Sequence, residues 1–137
     1  MTYLAIKEGA PIQAAAVVGG LADLGQFFQE TGKDRMKQVI RQLVGTDMRE
    51  YKERSACEWP EKINVPVLIL HGEKGRVVDV IQAKKLDEEL TELRKPHELV
   101  IFPKGDHGLN NVRTQRDQII LEWFEKNLKE EPASPAR

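Results

Sequence analysis

With 137 residues and 21 Lys+Arg set against 22 Asp+Glu, the chain fits one domain and carries a net charge of -1. So balanced a surface offers no global field for nucleic acid or an anionic membrane, and neither is expected as a partner. A single cysteine, Cys57, rules out an internal disulfide and suits a reducing compartment. The longest strongly apolar stretch, VPVLIL, is far too short to cross a bilayer.

From the start of the chain, apolar residues are interrupted by Lys7, Glu8, Gly9 and Pro11, which argues against a signal peptide. A cytoplasmic protein is therefore expected. The run AAAVVGG (residues 14–20) reads as a buried strand, and its Gly19-Gly20 pair as a tight turn, because no G-x-x-x-x-G-K-[ST] surrounds it. Residues 22–59 read as helical. Gly32 and Gly45 stand where one helix can end and the next begin, and KDRMKQVIRQ supplies a solvated face. Residues 33–59 are either a lid or a segment packed beside the sheet.

Two further continuous apolar runs follow, VPVLILHG (65–72) and HELVIFP (97–103), separated by a helical pattern from Asp79 to Leu93. Ile81, Leu86, Leu90 and Leu93 mark the helix face, and Asp79 with Gln82 resembles a capping box. A last helix is predicted over Val112 to Lys129, with a stripe of Ile119, Ile120, Trp123, Phe124 and Leu128. Residues 131–137, with two prolines and no stripe, are expected to be a disordered tail, leaving 1–130 as the folded part. Continuous apolar strands alternating with helices predict an α/β layer: a parallel sheet of about three strands flanked by helices. Chemistry in such sheets gathers at the carboxyl ends of the strands, here at GGLADL, HGEKGRVV and PKGDHGLNN.

Taken together, MTYLAIKEGAPIQAAAVVGGLADL, INVPVLILHGEKGRVV, PKGDHGLNN and ILEWFEKNL resemble the C-terminal half of an α/β-hydrolase. The likeness is to the prolyl oligopeptidase and acylaminoacyl peptidase branch of the serine hydrolases. It implies a partial α/β-hydrolase fold with His107, in GDHG, as the catalytic base. An imidazole in that role takes a proton from a serine hydroxyl and returns it to the leaving group, and a carboxylate holds its tautomer.

Two departures accompany the resemblance. The nucleophile elbow G-x-S-x-G would precede a helix like MTYLAIKEG, so the elbow serine and the strand leading to it are expected upstream of Met1. In HGEKGRVVDV the position of the triad acid falls on Gly75. Glu73 and Asp79 are the nearby carboxylates, read as solvent-facing and as a helix cap.

The expected function is thus a fragment of a serine peptidase or esterase that contributes the triad histidine and is inactive alone. A noncatalytic scaffold for binding or self-assembly is the alternative, and a small hydrolase using other groups ranks third. Peptide or ester substrates follow only if the site is completed. Without its neighbour, the strand near Ala14–Val18 would present an unpaired edge, predicting self-association or docking of the missing N-terminal half. No cofactor or metal is expected, since no histidine pair has a zinc spacing. His71 reads as structural at a strand end, His97 as facing solvent, and Cys57 as a small packed side chain.

Overall fold

The computed structural model describes residues 2–74 and 77–128; both Gly75 and the expected tail at 131–137 lie outside them. Helix α1 (Thr2–Lys7) precedes strand β1 (Ala15–Val18), and three helices follow: α2 (Leu24–Glu30), α3 (Asp34–Val44) and α4 (Met48–Glu53). Strand β2 (Val67–Gly72), helix α5 (Val80–Glu92), strand β3 (His97–Phe102) and helix α6 (Arg113–Asn127) complete the order.

The three strands form one parallel sheet in the order β1-β2-β3, with Ala15 opposite Val67 and Val67 opposite His97. Central β2 is buried along its whole length, which explains its unbroken apolar run. Its side chains alternate between two cores. Val67 and Ile69 pack with Tyr3, Ile6, Ala83, Leu86 and Leu90 on the α1/α5 side, while Leu68 and Leu70 pack with Leu109 and Trp123 on the α6 side. Each of these fully buried Val, Ile or Leu side chains contributes about 1.5–3 kcal/mol by transfer alone. The parallel α/β layer expected from sequence is therefore present. No helix among the described residues is long and apolar enough to cross a membrane.

Helix α2 begins at Asp23, whose carboxylate accepts from the Gln26 N–H at 2.9 Å, and α3 ends at Gly45 with φ 88°. The long helical region expected after Lys33 is broken into α3, α4 and two short 3-10 turns at Ala56–Glu58 and Pro60–Lys62. Asp47 caps α4, and Pro60 starts the second turn. Leu24, Ile40 and Tyr51 form a third apolar cluster with Phe27, Phe28 and Met36, so α3 and α4 pack against α2.

Three local expectations need correction. The buried face of α5 is Gln82, Ala83, Leu86 and Leu90, whereas Ile81 and Leu93 are half exposed. The capping box is only half made: Asp79 accepts from the Ile81 N–H at 2.9 Å, but Gln82 turns inward to another loop. His97 does not face solvent either. Its Nε2 lies 2.8 Å from Asp87 Oδ1 and its Nδ1 2.7 Å from the Lys95 carbonyl, because α5 runs antiparallel to β3 and brings Asp87 over the strand start.

Candidate active site

Residues 103–112 join β3 to α6 at the carboxyl end of the sheet, and they hold their shape largely through their own side chains. The Asp106 N–H donates to Asn111 Oδ1 (3.0 Å), Asp106 Oδ1 accepts from the Asn110 N–H (2.9 Å), and Asn111 Nδ2 donates to the Lys104 carbonyl (2.7 Å). Short polar side chains that bond nearby backbone favour such turns. From α6, Arg116 reaches back to the Gly108 carbonyl at 3.0 Å. Leu109 then enters the α6-side core, fully buried, with a left-handed backbone (φ 56°).

This loop descends onto the ends of β1 and β2. At Gly72 a Cβ would run into the carbonyl oxygens of Gly105 and Asp106, so the backbones meet there with no room for a side chain. Two cross-links fix the approach: the Glu73 N–H to the Phe102 carbonyl and the Lys74 N–H to the Gly105 carbonyl, both 3.0 Å. The His107 ring comes to rest over Gly19. A Cβ there would stand 2.8 Å from both Nδ1 and Cε1 of the ring, and 2.6 Å from the His107 carbonyl oxygen.

Nδ1 of His107 is enclosed and has no hydrogen-bond partner among the described residues. Neither candidate carboxylate supplies one. Asp79 is occupied as the cap of α5, and Glu73 is exposed at the end of β2. The position read as the acid, Gly75, lies outside the described residues. His71 is fully buried, as expected of a structural histidine, with Nε2 2.8 Å from the Val78 carbonyl. It thereby ties the end of β2 to the start of α5.

Two side chains of the nucleophilic type, Ser55 and Cys57, are committed elsewhere. Ser55 is buried, donating to the Tyr51 carbonyl (2.7 Å) and accepting from the Leu24 N–H (2.8 Å). Burial, reinforced by Glu89, pushes the Cys57 thiol up to about 12, so it is a thiol and not a thiolate at neutral pH. A cleft of about 630 Å³ between α2, α4 and α5 is lined by Asp23, Ser55, Lys85 and Glu88 among others. His107 does not line it, and concavity alone gives this cleft no chemistry. At its wall, Asp23 pairs with Lys85 at 2.9 Å. Burial raises the Asp23 carboxyl, but the Gln26 N–H and the Lys85 ammonium outweigh it and hold the group below its ordinary range.

Two contributors escaped the sequence reading. From sequence Gly19 reads as a turn residue, with nothing local to connect it to a histidine 88 positions later. Gln82 reads from sequence as part of a cap, yet its side chain is buried and binds the loop after β1. Its Oε1 accepts from the N–H groups of Ala22 (2.9 Å) and Asp23 (3.0 Å), and its Nε2 donates to the Asp23 carbonyl (2.9 Å).

Residues 1–131 match the model of the Prolyl oligopeptidase family. The chain is 35% identical over 128 residues to the uncharacterized peptidase YtmA of Bacillus subtilis, covering 90% of this chain and 49% of that protein. A solved puromycin-hydrolyzing peptidase of Mycobacterium tuberculosis superposes with a TM-score of 0.84 at 27% identity, covering 97% of this chain and 21% of the other. An uncomplexed acylaminoacyl peptidase of Pyrococcus horikoshii gives 0.83 at 20% identity, with 98% and 23% covered. The chain thus spans about half of the Bacillus relative and under a quarter of the two solved chains.

Proposed function

Because this chain belongs to the prolyl oligopeptidase family of serine hydrolase peptidases, we propose that it supplies the general base, His107, to an acyl-transfer site that cleaves a peptide amide or an ester. One observation carries the reading: His107 sits on the β3–α6 loop at the carboxyl end of the sheet, its ring laid over the end of β1. Of its two nitrogens, Nδ1 is the enclosed one, which leaves Nε2 to exchange a proton with a nucleophile arriving at the sheet end. A serine hydroxyl gives up its proton to Nε2 as it attacks the carbonyl, and the imidazolium returns that proton to the leaving group.

The nucleophile is proposed to come from outside these 137 residues, because Ser55 and Cys57 are both buried and committed. Its strand has a place to pair. Among the described residues β1 is bonded on one side only, to β2, so its other edge presents unpaired N–H and C=O groups. A segment carrying the elbow, or a second copy of this chain, would pair there. The chain alone is proposed to be inactive, since an imidazole with no nucleophile beside it transfers no acyl group.

Reconstitution tests the assignment. The N-terminal half of the Bacillus relative, supplied as a separate polypeptide, is expected to associate with this chain and restore p-nitrophenyl ester turnover and fluorophosphonate labelling. His107→Ala in the assembly should remove the turnover. Turnover that survives this substitution refutes the role of His107.

A second reading, a noncatalytic scaffold, draws on the enclosed Nδ1 without an acceptor among the described residues. A neutral imidazole with no acceptor at Nδ1 favours keeping its proton on Nε2, the wrong tautomer for a base. Association without turnover selects this reading.

A further inference from the structure

A Cβ placed on Gly19, just past the end of β1, would stand 2.8 Å from the His107 ring, and that close approach specifies more than a turn. We propose that Gly19 is the positioning residue for His107: the absence of a Cβ at this one point sets how deeply the imidazole seats on the sheet and keeps Nδ1 shut away from water. Two independent demands meet at the position. Its φ of +59° is a left-handed conformation, and its Cβ direction is aimed at the ring and at the carbonyl of the same histidine. Carbon and nitrogen atoms rest about 3.5–4.0 Å apart, so an alanine whose Cβ stood 2.6–2.8 Å from three His107 atoms cannot coexist with the present seating.

The rest of the loop determines how the conflict resolves. Leu109 is buried in the core, Gly105 and Asp106 are pressed on Gly72, and Arg116 holds the Gly108 carbonyl. With both flanks anchored, the part free to yield is the His107 side chain and its own peptide unit. The ring would swing off β1, opening Nδ1 to water and changing the direction of Nε2.

The positioning role rests on the reading of His107 as the base. The contact itself is measured without turnover, so each can fail while the other stands. Gly19→Ala is compared with Gly45→Ala. Gly45 has a similarly positive φ (+88°), but nothing lies within 4 Å of its Cβ direction. Both substitutions incur left-handed strain, and only the first meets the histidine.

With the chain labelled at its histidine nitrogens, NMR reads the His107 Cε1–H signal and the Nδ1 and Nε2 shifts that report the tautomer. Gly19→Ala is expected to move all three and leave those of His97 unchanged, while Gly45→Ala leaves His107 as in the wild type. Unchanged His107 signals in Gly19→Ala, or equal changes in both variants, overturn the proposal. Should Gly19→Ala fail to fold, the same substitution in a His107→Ala background decides the matter. Removing the ring should recover part of the lost stability, shown by a higher melting temperature or a regained folded fraction. An equal loss with and without the ring overturns the proposal as well.

Discussion

The loops that leave β1 and β3 lie side by side at the carboxyl end of the sheet, yet they are held in opposite ways. Residues 103–112 are shaped by side chains within the loop, with those of Asp106 and Asn111 bonding to backbone groups no more than seven positions away. Residues 19–24 are held from afar. Gln82 binds Ala22 and Asp23 across about 60 positions of sequence, and Ser55 accepts from Leu24 across 31. The histidine loop is therefore shaped mainly by its own side chains, with Arg116 and the end of β2 anchoring it, whereas the loop beneath its ring depends on Gln82 of α5 and on Ser55. Local bonds fix a shape early and cheaply, and distant ones make that shape contingent on the whole fold.

The sharpest way to break this contrast is Gln82→Leu. It keeps the side chain's bulk and leaves two buried backbone N–H groups, those of Ala22 and Asp23, without partners, while the Asp23 carbonyl keeps the Phe27 N–H; each orphan costs roughly 1–3 kcal/mol before relaxation. The expected global loss is about 3 kcal/mol by urea unfolding, and a loss below about 1 kcal/mol would show that the β1 loop does not depend on α5.

Asn111→Ala should cost less, about 1 kcal/mol, because water replaces its two exposed bonds. Its signature is local: faster hydrogen exchange at the Asp106 and Asn110 amides, with the β2 amides unaffected. Exchange that accelerates throughout the sheet would contradict the picture of a self-contained loop.

The smallest expected effect is on pH dependence. The Asp23 carboxyl titrates below its ordinary value of 3.8 in the folded chain. The unfolded chain therefore binds the extra proton in that window, and the stability from the Asp23–Lys85 pair is present above pH 3.8 and lost as pH falls through the folded value. Glu89, pushed up by burial, works in the opposite sense: its protonation favours the folded state as pH drops past its ordinary range. The net slope should be shallow, and Lys85→Met should weaken the acid-side loss. An unchanged acid profile in Lys85→Met would remove this pair from the account.

What the sequence made legible follows the same division. The unbroken run at 67–72 announced a strand covered on both faces, Asp79 and Gly45 marked helix ends, and the polar residues around His107 announced a built turn. Each signal is local in sequence. The inward turn of Gln82, the pairing of His97 with Asp87 and the seat of His107 over Gly19 all depend on which elements become neighbours. A glycine doublet after a strand looks alike whether it turns the chain or makes room for a ring. The helix stripe misled for a related reason: Ile81 and Leu93 match the apolar pattern, but the face turned inward is the one that carries Gln82.

Leu109 offers a last lesson. A leucine held at φ 56° carries about 1–2 kcal/mol of backbone strain, and complete burial against Leu68, Leu70 and Trp123 keeps it there. Two residues after the imidazole the chain is thus nailed to the floor of the molecule. The backbone that carries the histidine is a fixed post, and what freedom the site has lies in the imidazole's own side-chain torsions and in whatever approaches it.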